Sequence, residues 1–152
     1  MSALVLNGLE DLKAQVGKEL GVSEWTAISQ AQIQQFADAT GDHQWIHLNQ
    51  EMAKMSPFGT TIAHGFLTLS LVPMLLGQIM EVKGVRMGIN YGLNKVRFIT
   101  PVPSGGKVRA RATLQQLEEV QGGVQLTVVV TFELEGVDKP ACVAESLMRY
   151  YF

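Results

Sequence analysis

The chain has 152 residues, the length of one domain that can bury a hydrophobic core without metal or disulfide support. Hydrophobic residues make up 47%, an ordinary globular fraction, and charged residues 17%, which is low. The formal net charge of −2 excludes the strongly basic face typical of nucleic-acid binding. The single cysteine, Cys142, excludes an intrachain disulfide and is predicted to be a buried, unreactive thiol. No apolar run is long enough to span a membrane, and residues 1–6 do not resemble a signal peptide. We therefore predict one cytoplasmic domain over residues 1–152, with no nucleic-acid or membrane partner.

The first part of the chain has the pattern of helices separated by a short strand. Residues 9–20 carry apolar side chains at nearly helical spacing, and residues 23–28 have the composition of a strand. Ser29 and Gln32 form an S-x-x-Q capping box, which predicts that a helix begins at about Gln30. Gly41 is in the usual position after the end of such a helix.

The central part of the chain predicts the core of the domain. Asn49 can cap a short helix over residues 50–55, and residues 65–80 follow with apolar side chains on nearly every side. A helix of that kind belongs in the middle of a domain, so we predict one long buried helix there. Four strands are predicted, over residues 88–98, 107–117, 124–135 and 141–152. Short turns join them, and strands joined in this way pair antiparallel. The predicted layout is an α+β domain with an antiparallel sheet wrapped around a long buried central helix.

Asp42 and His47 are the first pair of residues that could perform chemistry. They lie five positions apart in a polar stretch after the predicted helix end, where we expect an irregular loop. A carboxylate and an imidazole directed at one water molecule can share acid and base duties near neutral pH. The alternative is that Asp42 caps a turn and His47 is hydrogen-bonded in the core, and the pattern alone favours that alternative.

His43 and His47 have the spacing of a helical zinc site, but the glutamate of such sites is absent, so we predict no metal.

A second cluster, residues 58–65, leads directly into the predicted central helix. The N–H group of Gly65 would have no partner within that helix, so it could polarise a thioester carbonyl and stabilise an enolate. The alternative is a close packing contact at this junction that requires glycine, and both roles are compatible. We expect His64 to be a structural or pocket-lining residue rather than a catalyst.

Several runs of residues resemble the signature of one family. They are residues 36–42 (FADATGD), Ile46-His47, Phe58-Gly59 and residues 62–67 (IAHGFL), with residues 90–98 and 139–145 further along the chain. On these runs the chain is similar to the MaoC-like, (R)-specific enoyl-CoA hydratases, in particular to the branch that contains nodulation protein N and bacterial (R)-3-hydroxyacyl-thioester dehydratases. The resemblance extends from about Trp25 to the end of the chain.

This resemblance implies a hot-dog fold, a homodimer and a hydro-lyase whose substrate is a thioester of coenzyme A or acyl carrier protein, with no further cofactor. It implies that Asp42 and His47 catalyse reversible water addition to a trans-2-enoyl thioester, with the Gly65 N–H at the thioester oxygen. The chain departs from the family at Gln44-Trp45, where Asn-Pro is usual, and at Asn49, where Asp is usual. The acyl chain length, the carrier, the physiological direction and the assignment of base and acid stay open.

The acyl chain of such a substrate requires an apolar pocket. The candidates that contact substrate are Phe58, Ile62, His64, Gly65 and Phe66. If Val96 and Phe98 face the central helix, strand alternation places Asn94 on the same face, so we include Asn94 among the substrate-binding candidates. Basic residues at every second position from Lys107 to Arg111 could contact coenzyme A phosphates, although a solvated strand face is the commoner explanation for such a pattern.

Two other functions are compatible with the same fold. A hot-dog thioesterase is the first, but residues 65–80 lack the carboxylate that those enzymes typically carry on the central helix. A non-catalytic module that binds acyl thioesters is the second, and it would require neither Asp42 nor His47. Product analysis separates the three functions, because hydration preserves the thioester, hydrolysis releases a free thiol, and a binding module does neither.

Overall fold

The structure of the protein is a computed structural model that describes residues 2–152. The helices are α1 (Leu9–Lys13), α2 (Gln30–Thr40), α3 (Trp45–Leu48), α4 (Gln50–Lys54), α5 (Gly65–Ser70) and α6 (Val72–Ile79). The strands are β1 (Leu4–Leu6), β2 (Glu19–Val22), β3 (Thr26–Ala27), β4 (Met80–Val82), β5 (Met87–Phe98), β6 (Lys107–Val120), β7 (Gly123–Leu134) and β8 (Cys142–Tyr151).

The main sheet is antiparallel throughout. Its strand order is β2-β6-β7-β8-β5, and β3 also pairs with β6. Alternate side chains of β7, from Leu126 to Phe132, are fully buried, because successive residues of a strand point to opposite faces of the sheet. The buried face packs against α5 and α6. The predicted α+β layout and the four long strands are therefore confirmed.

The predicted central helix is interrupted. The two helices α5 and α6 meet at Leu71, and Met80 already belongs to β4, so the prediction of one continuous helix over residues 65–80 is wrong. Pro73 explains the interruption, because it has no N–H to donate to the carbonyl of Leu69 and its ring crowds that carbonyl. None of the helices described here has the length and apolar character needed to cross a membrane.

The central helices are also less buried than their sequence predicts. Leu67, Leu75 and Ile79 lie in the core, but the side chain of Phe66 is 68% exposed and that of Met74 is 48% exposed. The prediction of burial on all sides is therefore wrong for a single chain. One side of α5 and α6 presents apolar surface to the outside.

The N-terminal region differs from its predicted form. A helix begins at Leu9 as predicted, but α1 ends at Lys13 and the strand β2 begins at Glu19, so the predicted extension of this helix to residue 20 is wrong. Gly17 lies between them with φ +84°, a left-handed conformation that ends a regular helix, and its N–H donates to the backbone oxygen of Leu114 across 2.7 Å. That contact directs the chain into the sheet. The short parallel pair of β1 and β4 was not predicted.

The helix caps near the candidate site agree with the predictions. The Ser29 Oγ accepts from the N–H of Gln32 across 3.1 Å at the start of α2, and Gly41 ends that helix with φ +85°. The Asn49 Oδ1 accepts from the N–H of Met52 across 3.1 Å at the start of α4. These caps fix where the chain leaves α2 and where it enters α4, and the polar stretch between them carries both predicted catalytic residues.

The strand β5 forms an irregular edge of the main sheet. It pairs with β8 on one side and with no other strand of residues 2–152. Its register shifts between Asn90 and Gly92 and again between Leu93 and Val96, which marks two bulges. Its exposed apolar side chains are Met87, Ile89, Tyr91, Leu93 and Phe98.

Cys142 begins β8, and its side chain is fully buried. Burial raises the pKa of the thiol to about 11, because a thiolate there would lose its hydration. The structure thus agrees with the predicted buried thiol, and the raised pKa disfavours its reactive, ionised form.

Candidate active site

His47 lies on the short helix α3. The stretch after α2 was predicted to be an irregular loop, and that part of the prediction is wrong, because residues Trp45–Leu48 form a helical turn. The His47 residue is 6% exposed, and its Nδ1 donates to the backbone oxygen of Ile62 across 2.7 Å. Since a carbonyl oxygen can only accept, Nδ1 carries the hydrogen and Nε2 keeps a free lone pair.

Asp42 stands opposite that lone pair. Its Oδ1 accepts from the N–H of Gln44 across 3.3 Å, and its Oδ2 lies 4.0 Å from the Nε2 of His47. This distance is too long for a direct hydrogen bond, but a water molecule about 2.8 Å from each atom can bridge it. The Asp42 side chain is half exposed while His47 is buried, so the two groups meet at the boundary between solvent and interior. Each residue also performs the structural role weighed as an alternative, because Asp42 accepts from the N–H of Gln44 and His47 donates to Ile62, and these bonds are compatible with the predicted catalytic role.

His47 borders an apolar cavity of about 240 Å³. Gly65 and Ile62, two of the predicted substrate-binding residues, also line it, together with Thr68, Phe98 and Pro101. Phe58 lines an adjoining cavity of about 320 Å³, which shares Ile62 and Pro101 with the first. Apolar cavities with a few polar groups are the usual form of a small-molecule site.

Burial lowers the pKa of His47 below its ordinary value of 6.5. The hydrogen bond with Ile62 and the charge of Asp42 act in the opposite direction, whereas nearby His64 adds to the lowering. The imidazole of His47 is therefore neutral at neutral pH. Its Nε2 lone pair is available to accept a proton.

His64 is buried beside His47 and is absent from the residues that line the 240 Å³ cavity. The two imidazole rings stack with their centroids 3.8 Å apart. The Nε2 of His64 donates to the backbone oxygen of Asp42 across 3.0 Å. Contact of His64 with substrate stays a prediction, while its contacts with both predicted catalytic residues are direct.

Gln30 is part of the site, although its sequence position did not indicate it. Its Nε2 donates to the backbone oxygen of His47 across 2.8 Å, and its Oε1 accepts from the hydroxyl of Thr61 across 2.6 Å. Thr61 is fully buried. The amide thereby joins α2, α3 and the segment that leads into α5. A glutamine in the first turn of a capped helix has the pattern of a solvated position, so no local signal distinguished it.

Gly65 begins α5 at the edge of the cavity. A Cβ atom at this position would lie 3.0 Å from the ring of Phe98, so the packing explanation for glycine applies. The N–H of this first helical residue has no acceptor within its helix, so the catalytic explanation is compatible with the same geometry.

Phe66 and Asn94 lie away from the cavity. The exposed ring of Phe66 meets the ring of Phe98 edge to face, with centroids 5.7 Å apart. Asn94 is exposed and lies in the bulge between Leu93 and Val96. The strict alternation that placed Asn94 beside Val96 on the inner face is therefore wrong, because a bulge shifts the side chains that follow it.

Asp42, His47 and His64 also form a group of described residues whose ligand-type atoms lie within 4.8 Å of one another, close enough to hold a metal ion. The Nε2 of His64 carries a hydrogen, since it faces a carbonyl oxygen, and a metal ion on that atom would break this bond. The donor set therefore fits proton transfer better than metal binding. His43, the other histidine weighed for zinc, is exposed and bonds to Asp38 across 3.0 Å.

A larger cavity, of about 520 Å³, lies at the outward-facing Arg109 and Trp25, and neither Asp42 nor His47 lines it. The guanidinium of Arg109 lies 4.4 Å from the ring centre of Trp25 and donates to Glu133 across 2.6 Å. Arg111 donates to the same carboxylate across 3.3 Å. Two of the three alternate basic residues of β6, Arg109 and Arg111, are thus ion-paired within the sheet, which favours the strand-face explanation over phosphate binding.

Comparison with known proteins shows the family of the chain. A model described as "MaoC like domain" matches residues 11–135, well over half of the chain. The chain is 57% identical over 141 residues to 3-hydroxyacyl-thioester dehydratase Z of Mycobacterium tuberculosis, covering 92% of this chain and 93% of that protein. It is 46% identical over 140 residues to nodulation protein N of Rhizobium leguminosarum bv. viciae, covering 90% and 86%.

A solved structure provides the corresponding likeness in three dimensions. The (R)-hydratase from A. caviae involved in PHA biosynthesis aligns with a TM-score of 0.72 and 27% sequence identity, covering 88% of this chain and 94% of that one. The predicted hot-dog fold is confirmed by this likeness.

Proposed function

The chain belongs to the MaoC-like domain family, and on that premise we propose that it adds water reversibly across the 2,3 bond of trans-2-enoyl thioesters. It is a hydro-lyase of the class that includes (R)-specific enoyl-CoA hydratases and 3-hydroxyacyl-thioester dehydratases. The observation that carries this conclusion is the 4.0 Å separation of Asp42 Oδ2 and His47 Nε2 at the edge of an apolar cavity. Two proton acceptors face one water-sized gap, beside a space for the acyl group.

Asp42 and His47 move one proton in each turnover. In the hydration direction, the oxygen of a water held between them forms a bond to C3, and the water proton passes to the pair. The π electrons of the 2,3 bond move toward the thioester and give an enolate. The pair then delivers the proton to C2, which forms the 3-hydroxyacyl thioester and returns both residues to their starting state. The neutral His47, with its free Nε2, is suited to the first of these transfers.

The enolate requires stabilisation at the thioester oxygen. The N–H of Gly65 lies at the start of α5 on the wall of the same cavity as His47, so we assign this N–H as the donor to that oxygen. A donor fixed before the reaction stabilises developing charge without reorganisation. The closeness of the Phe98 ring to Gly65 holds the backbone at this position and limits the residues that it accepts.

We assign no metal or organic cofactor to the reaction. The proton chemistry described above balances with water and the thioester alone, and the nitrogen of His64 nearest Asp42 is occupied by a hydrogen bond. Activity that survives exhaustive treatment with a strong chelator would agree with this assignment. Loss of activity that a divalent metal restores would contradict it.

A second copy of the chain is the proposed partner. The unpaired edge of β5 and its exposed apolar side chains form one surface, because an open strand edge with apolar residues favours pairing with another strand. The exposed apolar residues Phe66 and Met74 on the central helices add to the apolar surface of the single chain. A homodimer would bury apolar area that a single chain leaves in water.

The decisive experiment follows the conjugated absorbance of crotonyl-CoA and of longer enoyl thioesters on both coenzyme A and acyl carrier protein. The expected result is loss of this absorbance with formation of the (R)-3-hydroxyacyl thioester and no release of free thiol. Release of thiol would instead identify a thioesterase. Absence of any reaction across the whole panel, with tight binding of the same compounds, would indicate a non-catalytic binding module.

A further inference from the structure

We propose that His64 is a positioning residue that sets the distance and orientation between Asp42 and His47, a role that rests on the proposed hydratase function. The ring of His64 contacts both partners. One edge donates to the backbone oxygen of Asp42 across 3.0 Å, and one face stacks on the imidazole of His47 with centroids 3.8 Å apart and planes 24° apart. A single rigid side chain therefore fixes the two proton-transferring groups relative to each other.

Asp42 depends on this contact because the rest of its environment is loose. It follows the glycine that ends α2, its side chain is half exposed, and its carboxylate receives an N–H from Gln44 at the long distance of 3.3 Å. The hydrogen bond from His64 connects the Asp42 backbone to the buried interior. Without it, the carboxylate would sample a wider range of positions opposite His47.

His47 is fixed from three directions, and His64 supplies one of them. The bond from Nδ1 to Ile62 sets the edge of the ring, and the amide of Gln30 holds the backbone of α3. The stacked ring of His64 covers one face of the imidazole and limits its rotation. Removal of that face would free a rotation that changes the direction of the Nε2 lone pair.

Packing alone does not account for a histidine at this position. His64 is 2% exposed, it packs against Phe36 on another side, and its Nδ1 has no hydrogen-bond partner. An unpaired buried acceptor such as this Nδ1 is destabilising. A phenylalanine of similar shape would fill the same space without burying an unpaired acceptor. The other ring nitrogen, Nε2, does have a partner, the backbone oxygen of the catalytic Asp42. The histidine is therefore explained by that bond.

The test compares His64→Phe with His64→Gln and uses Phe36→Leu as the matched control. His64→Phe keeps a ring against His47 and loses the donor to Asp42, so we expect kcat to fall about 10-fold to 100-fold, the range expected for a small misplacement of reacting groups. The KM should change little, because His64 is absent from the residues that line the cavity, and the thermal midpoint should stay equal or rise. The amide of His64→Gln can still donate to Asp42, so it should retain a higher kcat than His64→Phe. Phe36→Leu removes packing from another side of the ring and should keep nearly all of the wild-type kcat.

Several outcomes would overturn the proposal. A folded His64→Phe protein with the wild-type kcat would remove the positioning role, and a rise in KM at unchanged kcat would assign His64 to substrate binding instead. A loss in Phe36→Leu as large as that in His64→Phe would make packing the cause. Nitrogen NMR is a readout that does not need turnover: wild-type His64 should carry its hydrogen on Nε2. His47 should keep its Nδ1–H signal in His64→Phe, because its bond to Ile62 and the ring beside it are both retained, and loss of this signal would make a displaced His47 the cause of the lower kcat. An inactive wild-type enzyme with these NMR results would contradict the proposed function and leave the positioning contacts intact.

Discussion

Gln30 donates from its side-chain amide to the backbone oxygen of His47 across 2.8 Å, and this bond connects the first turn of α2 to α3, the helix that carries the imidazole proposed as catalytic. The same amide accepts from the fully buried hydroxyl of Thr61 across 2.6 Å. Both polar groups of the amide are therefore used, one on each side of the site. The position of His47 depends on a residue 17 positions earlier in the chain.

Replacement of Gln30 by leucine should lower both stability and turnover. It would leave the buried hydroxyl of Thr61 without an acceptor, which costs about 1–3 kcal/mol in the free energy of unfolding. Denaturant unfolding measures this change, and Gln34→Leu, on the exposed surface of the same helix, is the matched control. If the network acts as a unit, Gln30→Leu and Thr61→Val together should cost less than the sum of their separate effects. Additive effects would show that the two residues are independent.

Asp42→Asn should reduce kcat about 10²-fold to 10⁴-fold, the usual contribution of a general acid–base group. The amide cannot accept the water proton, but its oxygen can still receive the N–H of Gln44, so the fold should be kept. Asp38→Asn is the control, because that carboxylate is exposed and bonds to His43 rather than to Asp42 or His47. The measurement is hydration of the enoyl thioester with the best activity. Near-wild-type turnover by Asp42→Asn would remove Asp42 from the mechanism.

The elements that the sequence predicted well are those set by local interactions. Ser29 and Gly41 bound α2 as expected, because a cap needs a side chain or a left-handed glycine within one turn of the helix end. The alternation in β7 and the turns between the long strands are likewise short-range signals. The proximity of Asp42 to His47 followed from the family resemblance, since five residues of unknown conformation do not fix a distance.

The features that the sequence did not predict depend on contacts between distant segments. The bulges in β5 arise from its register against β8, so alternation from Val96 gave a wrong face for Asn94. The stack of His47 on His64 and the amide of Gln30 bring together α2, α3 and the start of α5. Residues 2–152 leave most of the Phe66 side chain uncovered, and the spacing of apolar residues along a helix does not predict which of them stay uncovered. The interruption before Pro73 is the exception, because the proline itself was a visible signal.

The acid limb of the pH profile should report His47. Burial lowers its pKa below 6.5, and the neutral form is the one that accepts a proton. As the pH is lowered, kcat/KM should therefore decrease with an apparent pKa below 6.5. The same shift affects stability. Between pH 6.5 and the lowered pKa of folded His47, this histidine is protonated in the unfolded chain but neutral in the folded one. The free energy of unfolding therefore decreases as the pH falls through this range and increases as the pH rises. His47→Gln should reduce that part of the pH dependence of unfolding. An acid limb centred above pH 6.5 would contradict the assignment.

Gly65→Ala and Gly77→Ala should have opposite effects on stability. An alanine Cβ at position 65 would lie 3.0 Å from the ring of Phe98, so the ring must move and the thioester donor moves with the backbone. Nothing lies within 4 Å of the corresponding atom at Gly77, which is in α6, so alanine there should stabilise the helix by about 0.5–1 kcal/mol. Thermal unfolding measures both changes. Equal stability of the two variants would show that the Phe98 contact is easily relieved, and Gly65→Ala should then keep its activity, because alanine retains the backbone N–H.

The oligomeric state tests the surface formed by β5. We expect light scattering to give the wild type twice the 16.6 kDa mass of one chain. Leu93→Lys places a charge among the exposed apolar residues of the unpaired strand edge, and because burying an unpaired charge is costly, this variant should shift the mass toward that of a single chain. Val137→Lys introduces the same charge at an exposed apolar residue outside β5 and should keep the wild-type mass. A monomeric wild type, or equal loss of the dimer in both variants, would place the subunit contact elsewhere or exclude it.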